Sequence, residues 1–230
     1  MNAPDSPQTI DQVISWMEAI EASTPAADGV ACFNRMYLEV TRHVQQELQQ
    51  GSFADPAFMV HLDVTFAGLY LAAVDAAGGP VSGVPTVWQP LVAARGDSTI
   101  EPIQFALAGM NAHINHDLPL AVVRACADLG TAPDDGSHHA DYQKVDELLD
   151  GAEQSVRESF EPADVKAADR HVAAVLNVVA NWSITSARDV AWDIAVALWR
   201  VRGDKLATDL LAGTLARTVA MGSRALLVAV

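Results

Sequence analysis

Ile103-Gln-Phe-Ala-Leu-Ala-Gly-Met-Asn-Ala-His-Ile-Asn-His-Asp117 begins as an apolar helix and ends as a polar cluster. From Ile103 to Ile114 the apolar residues leave no polar stripe. A helix that is apolar on nearly every side belongs in an interior. Phe58–Ala77 and Val190–Val201 read the same way. The expected fold is therefore an all-α, single-domain multi-helix bundle over residues 1–230, with three buried central helices at about 58–77, 103–117 and 190–201. The remaining helices wrap them, and residues 1–8 are expected to be a flexible N-terminus.

Capping signals outline the rest. Thr9-Ile-Asp-Gln12 has the form of a capping box and opens a helix to about Ala22. A second helix runs from Gly29 to Gln50 and stops at Gly51. Asp55-Pro56 supplies an N-cap and an N1 proline for the third, which runs to Ala77. A loop through Pro85 and a short helix over Thr86–Ala94 follow. The fifth helix starts near Ile100 and should break near Asp117, because Pro119 cannot continue it without losing a backbone bond. A segment to Leu129, a loop over Gly130–Ser137, a polar surface helix His139–Phe160 and an amphipathic helix Ala163–Trp182 come next. Ser186-Ala-Arg-Asp189 and Gly203-Asp204 open the last two helices. No alternating pattern between hairpin turns marks a strand.

Half of the 230 residues are hydrophobic and the formal net charge is −15. That charge disfavours a nucleic-acid backbone or an anionic membrane as partner. No secretory signal or membrane span is expected, since the most apolar helices carry His, Asp, Gln or Asn. Cys32 and Cys126 read as buried thiols of a cytoplasmic protein. A small organic or cationic ligand is the partner that remains.

Polar side chains in central helices are informative because an unpaired buried one costs roughly 1–3 kcal/mol. His113 is three residues from His116 and four from Asp117, spacings that share a helix face. Such a set can hold a zinc, iron or manganese ion, with His61 as a further ligand. The same residues can instead satisfy helix ends or one another. Asp189 and Asp193, four apart, would share a proton if buried together, which suits a catalytic base; as a cap and an interhelical bond they would be structural. His116 is a further catalytic candidate. Tyr37, Arg35, Gln104, Asn111 and Asn115 are candidate ligand-binding residues. Asp63 is expected to pair with Arg35 or Arg188, and His138-His139 to be solvated. Trp88, Trp182, Trp192 and Trp199 read as core aromatics. Phosphate-binding glycine loops, a nucleophile elbow, C-x-x-C and H-E-x-x-H are all missing from the sequence.

The run Gln104–Val123, together with Phe33-Asn-Arg-Met-Tyr37, Leu62-Asp-Val64 and Val84-Pro-Thr-Val-Trp-Gln-Pro-Leu91, resembles a bacterial family of all-helical proteins classed as a domain of unknown function. The resemblance spans most of the chain and implies an all-α fold without implying an activity. His116-Asp117 is also similar to the dyad of HD-type metal phosphohydrolases. That likeness would make His61 or His113 the first histidine, and Asp189 or Asp193 the last aspartate. Leu118-Pro119 directly after the dyad departs from that pattern.

A metal-dependent enzyme acting on a small organic substrate, by hydrolysis or oxidation, is the leading expectation. The alternatives are a non-catalytic ligand-binding or interaction protein with a buried polar network, and a metal-free enzyme using histidine acid–base chemistry.

Overall fold

The computed structural model describes residues 6–146, 149 and 183–228. Among them the chain is helical, with no strand. The helices are α1 (Ile10–Ser23), α2 (Gly29–Gln50), α3 (Pro56–Ala76), α4 (Gln89–Ala94), α5 (Pro102–Ala112), α6 (Leu118–Leu129), α7 (Ile184–Val201) and α8 (Lys205–Leu226). Residues 138–146 are also helical. The expected helix Ala163–Trp182, Trp182 with it, lies outside the described residues, as does most of the expected helix His139–Phe160.

Local chemistry sets the ends. Thr9 accepts from the Gln12 amide, Asp28 from Val30, Asp55 from Phe58 and Asp204 from Ala207. Each satisfies a donor that a helix start leaves open. Gly51 closes α2 at φ 73°, a left-handed conformation that glycine adopts without penalty. Two starts differ from the sequence reading. α5 begins at Pro102, where the Gln104 side chain accepts from the Glu101 amide. α7 begins at Ile184, because Ser183 and not Ser186 is the cap.

The axis of the bundle is α5 and α6 in line. α5 packs between α2 and α8, α6 packs between α3 and α7, and α1 lies against α2 and α3. Every residue from Gln104 to Met110 is buried. Two reciprocal close approaches set the α2–α5 distance. A Cβ at Gly29 would lie 2.4 Å from the Phe105 ring, and one at Gly109 would lie 2.4 Å from the Phe33 ring. Each helix thus gives a glycine to the other's phenylalanine.

Of the three helices expected to be central, α5 alone is buried nearly all round. α3 buries Phe58, Met59, Leu62, Asp63, Ala67, Tyr70, Leu71 and Ala73, but leaves Val60 exposed and Val64 and Leu69 half-exposed. By length and composition alone α3 is apolar enough to cross a membrane, with mean hydropathy 1.6; core helices meet the same test. α7 buries one face, and Val190 on the other is 53% exposed. Apolar content overstated the burial of α3 and α7 because alanine, glycine and valine are tolerated at half-exposed positions.

His138 is not solvated, as its loop sequence suggested. It is buried, stacked on Phe58 with centroids 3.9 Å apart, and placed 3.0 Å from the Ala132 carbonyl and 3.3 Å from Asp55. Neighbouring Asp141 accepts from the Ala54 and Asp55 amides and from Ser137. The start of α3 is thereby fastened to residues 137–141. His139 is exposed and lies on the Trp192 ring. Trp88 and Trp192 are core residues, whereas Trp199 is half-buried at the edge.

Candidate functional site

The polar cluster does not break the helix. Residues His113–Asp117 form a π-helical turn that joins α5 to α6. Pro119 has no N–H for the Asn115 carbonyl, and its ring would crowd that carbonyl in an α-helix. Widening the turn relieves this: the Leu118 amide bonds to His113 O, five residues back. π turns inside α-helices concentrate at functional sites, and this one carries the densest group of polar side chains in the interior.

Asp117 is at the centre of that group. Its Oδ2 accepts from Trp88 Nε1 at 2.9 Å and lies 3.2 Å from His113 Nδ1, while Oδ1 lies 2.8 Å from His116 Nδ1. Burial alone would raise its pKa, but the hydrogen bonds from the two histidines prevail and hold it below the usual carboxylate range. An ionised Asp117 only accepts, so both histidines must present Nδ1–H to it. Burial also lowers the pKa of His113, which keeps that ring neutral near pH 7. A neutral imidazole with its proton on Nδ1 carries a lone pair on Nε2. The ring geometry turns Nε2 away from Asp117.

Aromatic side chains fix the plane of that ring. Phe66 stacks on His113 at 3.6 Å between centroids and 7° between planes, and Tyr37 meets it edge-on at 4.5 Å. Phe33, Tyr70 and Trp88 complete the enclosure. His113 has no rotational freedom left without displacing a neighbour.

Beside this enclosure is an apolar cavity of about 80 Å³. Its walls come mainly from α2 and α3, with Met110, His113, Ile114 and Leu118 along the central helix, and Tyr142, Val145, Leu149, Ile184 and Arg188 making up the rest. One water needs about 10–15 Å³ and an engineered cavity that takes up benzene has about 150 Å³. The space therefore exceeds a water several-fold and suits part of a small ring. Val40, Phe66 and Ile114 line it while half-exposed, so it opens towards solvent on that side.

Three buried polar atoms without a hydrogen-bond partner belong to residues that line this cavity: Tyr37 Oη, Asp63 Oδ2 and His113 Nε2. Burial pushes the Asp63 pKa up to about 7. The Tyr37 phenol is held well above its ordinary range by burial and then by the nearby Asp63 carboxylate. At neutral pH Tyr37 is thus a hydrogen-bond donor, Asp63 is poised between donor and acceptor, and His113 Nε2 is an acceptor. Among the described lining residues there is no Ser, Thr, Cys or Lys.

Other expected site residues lie elsewhere. Arg35 is exposed on Glu21 rather than lining the pocket beside Tyr37. Arg188 does line the cavity, but its guanidinium is bonded to Asp146 and the Tyr142 carbonyl. Neither arginine pairs with Asp63. Gln104 Nε2 donates to the Leu226 and Val228 carbonyls. Asn111 Nδ2 donates to the Val219 carbonyl and Ser223 Oγ, and Asn115 Nδ2 donates to Asn111 Oδ1. These three amides tie α5 and the π turn to α8 and do not reach the cavity. Asp189 and Asp193 are exposed on α7, so the buried shared-proton pair does not form. Sequence reading missed that Asp63, unpaired on an apolar helix one turn before Phe66, lines the same cavity as His113. Its lack of a nearby basic residue in sequence was the available signal.

The metal expectation does not fit this geometry. His113 and His116 both turn Nδ1 onto Asp117, whose two oxygens already accept three donors. His61 is on the far side of α3 from the buried face, 3.1 Å from Asp128. Among the described residues no group of three or more His, Cys, Asp or Glu side chains is arranged to hold a metal ion. The likeness to the HD dyad ends there too, because neither a remote histidine nor a final aspartate joins His116-Asp117.

No curated protein and no solved structure matches the chain. A family model does, over residues 10–229, with the description "Family of unknown function (DUF5995)". The chain belongs to that family. A family of unknown function spanning most of an all-helical chain is what the resemblance implied.

Proposed function

We propose that this protein binds a small, largely apolar organic molecule in the cavity between α2, α3 and the π turn. The polar end of the molecule would be recognised by His113 Nε2, Tyr37 Oη and Asp63. One observation carries this reading: three unpartnered, buried polar atoms belong to residues that line a single largely apolar cavity. Each costs on the order of 1–3 kcal/mol unpaired. A core under selection for stability alone would replace them with apolar residues of similar size. An apolar wall with a few convergent polar groups is the usual constitution of a small-molecule site. The net charge of −15 accords with a cytoplasmic protein that does not engage nucleic acid or anionic membrane.

Binding of phenol and cyclopentanone, each a small ring with one oxygen, tests the reading. Saturation-transfer NMR should show contact with the ring protons, with Kd of roughly 0.1–5 mM for ligands of this size. Val40→Trp, which places an indole at the opening, should remove the contact while leaving the circular dichroism spectrum unchanged. If wild-type protein contacts neither probe, the ligand-pocket reading is wrong.

A further inference from the structure

The three cavity groups are not equivalent in what they can do with a proton. His113 presents a lone pair on Nε2, and its Nδ1–H is held by a buried carboxylate. That carboxylate is fixed in turn by Trp88 and His116. A neutral imidazole backed by an oriented carboxylate is the arrangement of a general base whose conjugate imidazolium is stabilised as it forms. Tyr37 meets the same ring edge-on, lines the cavity, and carries a buried O–H with no partner. Asp63 is one helical turn from Phe66, the residue stacked on His113. When protonated it offers a second O–H. A base and neutral donors, all on residues that line one largely apolar space, suit a reaction in which a proton leaves carbon while negative charge builds on oxygen.

We propose that the cavity catalyses proton transfer at the carbon next to a carbonyl group, with His113 Nε2 as the base and Tyr37 Oη, assisted by Asp63, as donor to the carbonyl oxygen. The substrate class is a small ketone, aldehyde or related carbonyl compound with an enolisable C–H. This rests on the ligand-pocket reading above. In the forward step the Cα–H bond breaks and an Nε2–H bond forms. The C–H electron pair becomes the C–C π bond, and the carbonyl π pair moves to oxygen as an enolate held by the Tyr37 O–H. Return of the proton from the imidazolium to the same or a conjugated carbon completes the cycle. Nothing is oxidised or reduced and no co-reactant is needed. Acyl transfer fits less well, since the described lining has no Ser, Thr or Cys nucleophile, and a Schiff base has no lysine there.

Exchange of the α-protons of cyclopentanone for deuterium in D₂O, followed by NMR on the full chain, tests the proposal. Saturation transfer on the same sample reports whether the ketone is bound. The expected result is exchange well above the buffer rate. His113→Gln should lower it at least about 100-fold, and Tyr37→Phe about 10- to 100-fold, at ketone concentrations raised until the saturation-transfer signal matches wild type. If His113→Gln does not fold, Tyr37→Phe and the wild-type rate still decide. Ketone contact with exchange no faster than buffer overturns the proton-transfer proposal and leaves the pocket reading standing. No contact and no exchange overturns both. Exchange that survives His113→Gln in folded protein removes His113 as the base and overturns the proposal as stated.

Discussion

His113 Nδ1 lies 3.2 Å from Asp117 Oδ2 within one π-helical turn, and this contact decides which ring nitrogen faces the cavity. Around it, each polar side chain either satisfies another element of the bundle or is left unpaired at the cavity, and the two groups respond differently to mutation.

Asp117→Asn should be costly. Three donors converge on the carboxylate, and an amide confronts at least one of them with its own N–H₂. The expected loss is about 2–4 kcal/mol, read from urea unfolding. The ¹⁵N shifts of His113 should also report a change of tautomer. Unchanged shifts would mean that Asp117 does not set the ring.

Asp63 should make the protein less stable as pH rises through the range of about 4 to 7. Burial pushes its folded pKa to about 7, from an ordinary value of 3.8. Over that window the folded state keeps a proton that the unfolded chain has released, so stability falls with pH and the loss is complete above about pH 7. Integrated, this amounts to about 4 kcal/mol. Asp63→Asn should abolish that component, so the variant gains on wild type between pH 4 and pH 8 in urea titrations. Parallel pH profiles for the two proteins would show that Asp63 is ionised in the fold.

Gly109→Ala should cost about 1–3 kcal/mol, because the new methyl meets the Phe33 ring at 2.4 Å. Phe33 lines the cavity, so probe binding should weaken as well. Gly68→Ala on α3, where a Cβ meets nothing within 4 Å, is the control and should be neutral or stabilising by up to about 1 kcal/mol. Equal losses in both variants would show that helix context, not the α2–α5 approach, is responsible.

Gln104→Ala removes the contact to the Glu101 amide and both bonds to the end of α8. About 1–3 kcal/mol should be lost, with faster amide exchange confined to the last turns of α8. Exchange that rises evenly over α5 and α8 would point instead to global destabilisation.

Much of the fold was legible in the chain itself. Thr9, Asp55 and Asp204 cap their helices because a short side-chain acceptor at a helix start acts on amides three residues away. Such effects need no tertiary context. Gly51 and Gly130 end helices for the same local reason. The burial of α5 was readable because its apolar residues leave no polar stripe over Phe105–Met110. The sequence also singled out Asn111–Asp117 as too polar for its surroundings.

The division of those polar residues between scaffold and site was decided by tertiary structure alone. Asn111 and Gln104 find their acceptors more than 100 residues away on α8 and its end. Spacing along one helix cannot register such a partner. Asp63, Tyr37 and His113 come from α3, α2 and the π turn and line one cavity, with Gly29 and Gly109 letting α2 lie close on α5. A hydrogen bond is satisfied over about 3 Å of space regardless of distance in sequence. Helical periodicity could therefore identify which side chains were polar and inside, while only the packing of the helices determined which of them were left unpaired.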